Sequence, residues 1–188
     1  GNPGFTLVFD FPIYKNIITT VIAPHGITDM IHAVQYNITS EIMALYGSVL
    51  GASVIMANNA PIILDVSFIV ASVVHFRHDM PVIKYVPKCA LSTLLIGGSV
   101  LYDPNILFLY MVAIHVPNHY RINWRYIREN TKKNIGVIFL CTMTLYLCGE
   151  IFPIIYESQL AFDCSKGLVI SHIIYDEKHI YPDEIIET

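Results

Sequence analysis

Two histidines four residues apart, His115 and His119, lie at the end of a strongly apolar stretch of sequence, PNILFLYMVAIHVPNHY. In a helix, residues at i and i+4 share one face, so both imidazoles can approach a single ion. Neutral imidazole is a good ligand for iron, zinc and copper. Ionisable side chains within an apolar segment are energetically costly and usually mark function. The pair therefore predicts a metal site on a buried or membrane-embedded helix.

Two further apolar runs carry histidines and aspartates. The first contains PHGITDMIH and the third ends in VVHFRHD, and together they contribute His25, Asp29, His32, His75, His78 and Asp79. The first, third and fifth runs point the same way, so six of the eight histidines are predicted to lie at one level. Histidine ligands usually donate their other ring N–H to a carboxylate, a role that suits Asp29 and Asp79.

The composition indicates that lipid surrounds much of the chain. Of its 188 residues, 54% are apolar and 14% are charged, whereas a soluble domain carries about 25% charged residues. The net charge of −4 excludes a broad basic face for nucleic acid. Four cysteines without a CxxC pair are interpreted as core filling. No cleavable signal peptide is expected.

Six apolar runs predict an all-α fold, a polytopic integral membrane helical bundle. The runs are about 16–34, 42–57, 62–76, 86–101, 105–116 and 135–155. Each approaches the ~20 residues that cross a bilayer. We predict one domain, with the bundle over about 16–156 and a short apolar segment and acidic tail over about 157–188. His172 and His179, in that tail, are predicted to lie at the surface.

Basic residues predict the orientation of the bundle. Lysines and arginines follow the third and fifth runs, whereas the loops after the second, fourth and sixth runs contain none. Because basic loops stay on the cytoplasmic side, the odd-numbered loops are expected there. The sequence thus predicts a multi-pass protein of a membrane that it does not specify.

Three short motifs, in this order, resemble those of the Brp/Blh-type membrane β-carotene 15,15′-dioxygenases: PHGITD (24–29), HFRHD (75–79) and HVPNH (115–119). Members of that family are polytopic helical enzymes proposed to hold iron with four histidines and to cleave β-carotene with O2 into two retinals. The resemblance implies that Fe(II) is held by His25, His75, His115 and His119. Asp29 and Asp79 match its acidic positions, and we place His32 and His78 with them around the ligands.

The chain also departs from the family pattern. Arg77 stands where the family has a glycine, and the interval between the second and third motifs is shorter than usual. The sequence therefore predicts an oxygenase acting on an apolar, carotenoid-like substrate, with two alternatives. One is a catalytically inactive structural subunit of a larger assembly, such as a virion membrane or an organellar complex, with other membrane or capsid subunits as partners. The other is haem held between two helices by paired histidines.

Overall fold

The computed structural model describes residues 16–80, 84–103, 105–156 and 158–181. This part of the chain is almost entirely helical and contains no β-strand. The predicted all-α class is therefore confirmed. Strands would leave edge N–H and C=O groups unpaired in lipid, whereas a helix satisfies its backbone internally.

The helices are numbered in chain order. α1 is built from a π-helical turn, a 3-10 turn and an α-helix (Ile18–Ile22, Ala23–Gly26 and Ile27–Gln35). α2 is Thr39–Asn59, α3 is Pro61–Phe76 followed by the 3-10 turn Arg77–Asp79, and α4 is Tyr85–Leu101. α5 joins Asn105–Tyr110, the π-helical turn Met111–His115 and Val116–Ile127, then the 3-10 turn Arg128–Asn130. α6 is Thr131–Ile151, and α7 is Gln159–His179, after the helical turn Pro153–Tyr156.

Within the described part of the chain, three helical stretches are long and apolar enough to cross a membrane: Thr39–Asn59, Pro61–Asp79 and Asn105–Ile151. The third has 47 residues and is divided at Asn130, whose φ of −141° and ψ of 70° are not helical. α4 is apolar but shorter. These helices are compatible with membrane association, and the count of six crossings stays a prediction.

Many large apolar side chains lie on the outside of the bundle, and many polar side chains are buried inside it together with apolar ones. Ile62, Leu94 and Leu140 are 75%, 71% and 67% exposed, whereas Ser53 and Asp176 are fully buried. Water would make such exposed patches unfavourable, but hydrocarbon would not. The burial pattern therefore supports a lipid environment around the helices and a polar interior between them.

Two prolines interrupt regular α-helical bonding beside the histidines of α1 and α5. Pro24 and Pro117 have no N–H to donate to the carbonyl four residues earlier. A π-helical turn precedes each of them, Ile18–Ile22 in α1 and Met111–His115 in α5. Such π-turns occur mostly as single turns, frequently at functional sites. Pro24 directly precedes His25, and Pro117 lies two residues from both His115 and His119. The irregular backbone therefore lies at the predicted site.

The structure corrects the prediction for the C-terminal part of the chain. Residues expected to form a short apolar segment and a polar tail instead form α7, a helix of 21 residues. α7 packs against α2 and α3 and also reaches α1. His172 is only 7% exposed, so its predicted surface position is wrong. His179 is half-buried.

α7 packs tightly against α2 at Gly167, and an added methyl group there should destabilise the bundle. A Cβ on Gly167 would lie 2.7 Å from the Ser53 hydroxyl and 3.4 Å from the Leu50 Cα. Overpacking of this kind costs about 1–3 kcal/mol. We expect Gly167→Ala to lower the midpoint of thermal unfolding in detergent.

Gly51→Ala is the matched control on α2. Among the described residues, nothing lies within 4 Å of a Cβ at Gly51, so this change should leave the midpoint unchanged or raise it slightly. Equal midpoints of thermal unfolding for Gly167→Ala and the unmodified protein would contradict the close packing of α7 against α2 at this position.

Candidate metal centre

Five histidine rings from four helices form one buried cluster. They come from α1, α3, α5 and α7, and each residue is at most 7% exposed: His25, His75, His115, His119 and His172. The ring centroid of His25 lies 5.3 Å from that of His115 and 4.9 Å from those of His119 and His172. The four histidines predicted from the sequence are thus brought together, and His172 joins them.

Three of these histidines form a group of possible metal ligands. One ring nitrogen each of His25, His115 and His172 lies within 4.8 Å of the others. In all three rings Nδ1 is already hydrogen-bonded; that of His25 donates to the carbonyl oxygen of Ile22. A proton on Nδ1 leaves the lone pair of Nε2 free for a metal ion.

Two buried carboxylates orient the other two rings of this group. His115 Nδ1 donates to Asp79 Oδ2 at 2.7 Å, and His172 Nδ1 donates to Asp29 Oδ2 at 2.8 Å. Further donors hold both carboxylates, namely Tyr46 for Asp29 and Tyr110 and Asn118 for Asp79. Such outer partners fix the ring orientation and raise the basicity of the ligand nitrogen.

Several buried nitrogens of the cluster have no hydrogen-bond partner within the described part of the chain. They are Nε2 of His25, Nε2 of His172 and both ring nitrogens of His75. The His75 ring lies 4.9 Å from that of His115 and 5.3 Å from that of His172. An unsatisfied buried polar group costs about 1–3 kcal/mol, and a metal ion would remove that cost. The donors present therefore fit a metal ion.

His119 differs from the other predicted ligands because both of its ring nitrogens are occupied. Nε2 donates to Asp176 Oδ2 at 2.8 Å, and Nδ1 lies 3.2 Å from the Asn123 amide nitrogen. A second group of possible ligands, within 4.8 Å of one another, consists of Asp29, His119, His172 and Asp176. This group mixes carboxylate oxygen with imidazole nitrogen, whereas the first offers nitrogen alone.

The remaining predicted neighbours of the ligands, His32 and His78, lie outside both of these ligand groups. His32 Nδ1 is 2.7 Å from the Tyr175 hydroxyl. His78 Nε2 is 2.7 Å from Glu177 Oε1, and Arg77 Nη2 donates to the other oxygen of Glu177 at 2.7 Å. Arg77 is thus a buried member of an ion-pair network beside the cluster.

An apolar cavity of about 550 Å³ adjoins the cluster. Its lining includes a few polar side chains, among them His25, His75, His115 and His172. Its walls are formed mostly by apolar side chains, among them Ile18, Met43, Phe68, Phe108 and Val169. Ligand sites commonly have this volume and this mostly apolar lining with few polar groups. The cavity can bring an apolar molecule next to a metal ion.

The sequence analysis missed His172, which belongs to the histidine cluster, and Asp176, which belongs to the second group of possible ligands. They are four residues apart in SHIIYDEKH, the same spacing that identified His115 and His119. That spacing was the available signal, because it places an imidazole and a carboxylate on one helical face. It was overlooked because the surrounding charges resemble a solvated tail.

Replacing Asp79 with asparagine should weaken metal binding without removing a ligand. The amide cannot accept the His115 proton as strongly as a carboxylate does, so the ring loses its preferred tautomer and orientation. Loss of such an outer partner typically costs 10- to 100-fold in metal affinity. Titration of the metal-free protein measures this, with Asp103→Asn, at an exposed turn, as the control. Equal affinities for the two variants would contradict the role of Asp79.

Comparison with known proteins gives no matching family model, no matching curated protein and no matching solved structure. The chemistry of the site is therefore interpreted from its own residues.

Proposed function

We propose that the chain is a multi-pass membrane enzyme that holds iron in its histidine cluster and oxidises an apolar, carotenoid-like substrate with O2. One observation carries the proposal: imidazoles from four helices converge and line one apolar cavity, and buried nitrogens of that cluster lack hydrogen-bond partners among the described residues. Imidazole nitrogen suits iron, zinc, copper and nickel, and the cavity favours a substrate without charge.

His25, His115 and His172 are the proposed iron ligands, with His75 beside them. Iron, when bound, would supply the reaction with O2, which side chains alone do not carry out. Two carboxylates of the chain fix the orientation of the ligand rings. Asp79 accepts a hydrogen bond from His115 Nδ1, and Asp29 accepts one from His172 Nδ1. The choice of iron over zinc or copper comes from the resemblance to the Brp/Blh-type enzymes.

The cavity supports an extended hydrocarbon as substrate. Aromatic, aliphatic and methionine side chains form most of its wall, so binding would depend on shape and on exclusion of water. Cleavage of a central double bond by O2 leaves one oxygen atom on each new carbonyl carbon. Two aldehydes form, and the reaction needs no further reductant, so no second cofactor site is required.

The test is expression in cells supplied with β-carotene, followed by measurement of retinal and of iron in the purified protein. The proposal expects retinal above the level of cells without the protein, and iron that purifies with the chain. Iron without retinal would keep the metal site but remove this substrate. Purified protein that binds no iron after reconstitution would remove the enzymatic proposal.

A structural role is the second candidate, and the hydrogen bonds between helices favour it. His119–Asp176 joins α5 to α7, and His172–Asp29 joins α7 to α1. A chain that serves as a membrane subunit of a larger assembly would need only such bonds. Replacing His75, whose ring nitrogens have no hydrogen-bond partner among the described residues, with alanine would then leave assembly intact. Haem, the third possibility, would appear as intense visible absorption of the purified protein.

A further inference from the structure

The histidine cluster contains more ligands than a single ion requires. Two groups of possible ligand residues overlap there, and every member is buried: His25, His115 and His172 in the first, and Asp29, His119, His172 and Asp176 in the second. Only His172 belongs to both. Each group by itself offers at least three ligands, the number that protein residues commonly supply to a catalytic metal ion.

The second group places two carboxylates close together in the interior. Asp29 is 1% exposed and Asp176 is fully buried, and a ligand oxygen of each lies within 4.8 Å of the other. Oδ1 of both residues has no hydrogen-bond partner in the described part of the chain. Buried carboxylates are costly unless they are paired or coordinate a metal. A divalent cation would offset both negative charges at once.

Unpartnered nitrogens face the same carboxylates. His75 is 2% exposed, and its Nε2 lies 3.9 Å from Asp176 Oδ2. His172 Nε2 lies 3.6 Å from the same oxygen. Both separations exceed a hydrogen bond, and neither nitrogen has another hydrogen-bond partner among the described residues. The two Nε2 atoms and Asp176 Oδ2 are therefore placed so that they could bind the same ion.

We infer that the cluster is a dinuclear metal centre. The all-nitrogen group holds one ion, and Asp29, His119 and Asp176 hold a second, with His172 between the two groups. To bind the second ion, His119 would move its proton from Nε2 to Nδ1, and the metal would replace its hydrogen bond to Asp176 Oδ2. This inference rests on the proposed function, because it adds a second ion to the same site. Mixed carboxylate and imidazole ligands suit a divalent first-row metal such as Fe(II), Mn(II) or Zn(II). The second ion would neutralise the carboxylates and fix α7 against α1 and α5.

Metal stoichiometry tests the inference. The full chain, purified in detergent and freed of metal by chelation, is reloaded with Fe(II) in the absence of O2, and iron per chain is measured by mass spectrometry. We expect two ions per chain. One ion per chain would overturn the dinuclear centre and leave the proposed function standing. No bound ion would overturn both.

Variants locate the second ion. Asp176→Asn and His119→Gln should each reduce the count from two ions to one, whereas Asp163→Asn, on the same helix beside Lys166, should retain two. Retention of one ion shows that a variant has folded. Loading with Mn(II) gives a second readout, because paired ions produce an exchange-coupled resonance spectrum that Asp176→Asn should abolish. Two ions in both Asp176→Asn and His119→Gln would overturn the assignment.

Discussion

Replacing His172 with alanine is expected to remove the catalytic iron and to stop retinal formation. His172 belongs to both groups of possible ligands, and its Nε2 is one of the buried nitrogens without a hydrogen-bond partner among the described residues. Loss of an outer partner costs 10- to 100-fold in metal affinity, and loss of a ligand should exceed about 100-fold on the same scale. Iron content and retinal yield measure the effect.

His179→Ala is the matched control, since it makes the same change on the same helix. His179 lies at the end of α7, and its Nε2 is 3.1 Å from Glu41 Oε1, outside both ligand groups. This variant should keep its iron and its activity. If His172→Ala retained iron as tightly as His179→Ala, α7 would have no part in the metal centre.

Filling the cavity should separate substrate binding from metal binding. Leu107 lies on α5 and lines the apolar cavity. A tryptophan there would occupy space that the substrate needs. The substrate could bind only if the tryptophan side chain moved, which would strain the surrounding packing by about 1–3 kcal/mol. Since 1.4 kcal/mol corresponds to about tenfold in binding, we expect Leu107→Trp to lower retinal yield about tenfold or more, with iron content unchanged.

Leu109→Trp provides the control for size and composition. Leu109 lies two residues further along α5, is 64% exposed on the outside of the bundle and does not line this cavity. It should leave retinal yield near that of the unmodified protein. A loss of retinal that is the same in both variants would indicate general damage to α5 and would not support the cavity as the substrate site.

Much of the fold and part of the site could be predicted from the sequence. The apolar runs gave the positions of α1 to α6, and the i, i+4 spacing gave the faces of α1 and α5 that carry histidine. Spacing alone could not show which ring nitrogen each histidine offers. For His119, whether Nε2 is free depends on its hydrogen bond to Asp176, a residue 57 positions later in the chain.

α7 could not be predicted by hydropathy because several of its polar residues, among them Ser171, His172 and Asp176, are buried in the bundle. Asp176 is fully buried against the histidine cluster, although its neighbours in the sequence are charged. Lys166 lies 2.6 Å from Asp65 of α3, so its charge is paired with another helix. In a bundle with a polar interior, a charged residue in the sequence does not by itself indicate a surface position, because its side chain can be paired with a group on another helix.

X-ray absorption at the iron edge of the purified protein tests most directly whether imidazoles of four helices hold an ion beside the cavity. We expect nitrogen and oxygen neighbours at roughly 2.0–2.2 Å, the range that imidazole nitrogen and carboxylate oxygen show for zinc, together with the outer scattering of several imidazole rings. That scattering should weaken in His172→Ala. Iron surrounded by oxygen neighbours without imidazole scattering would contradict the account.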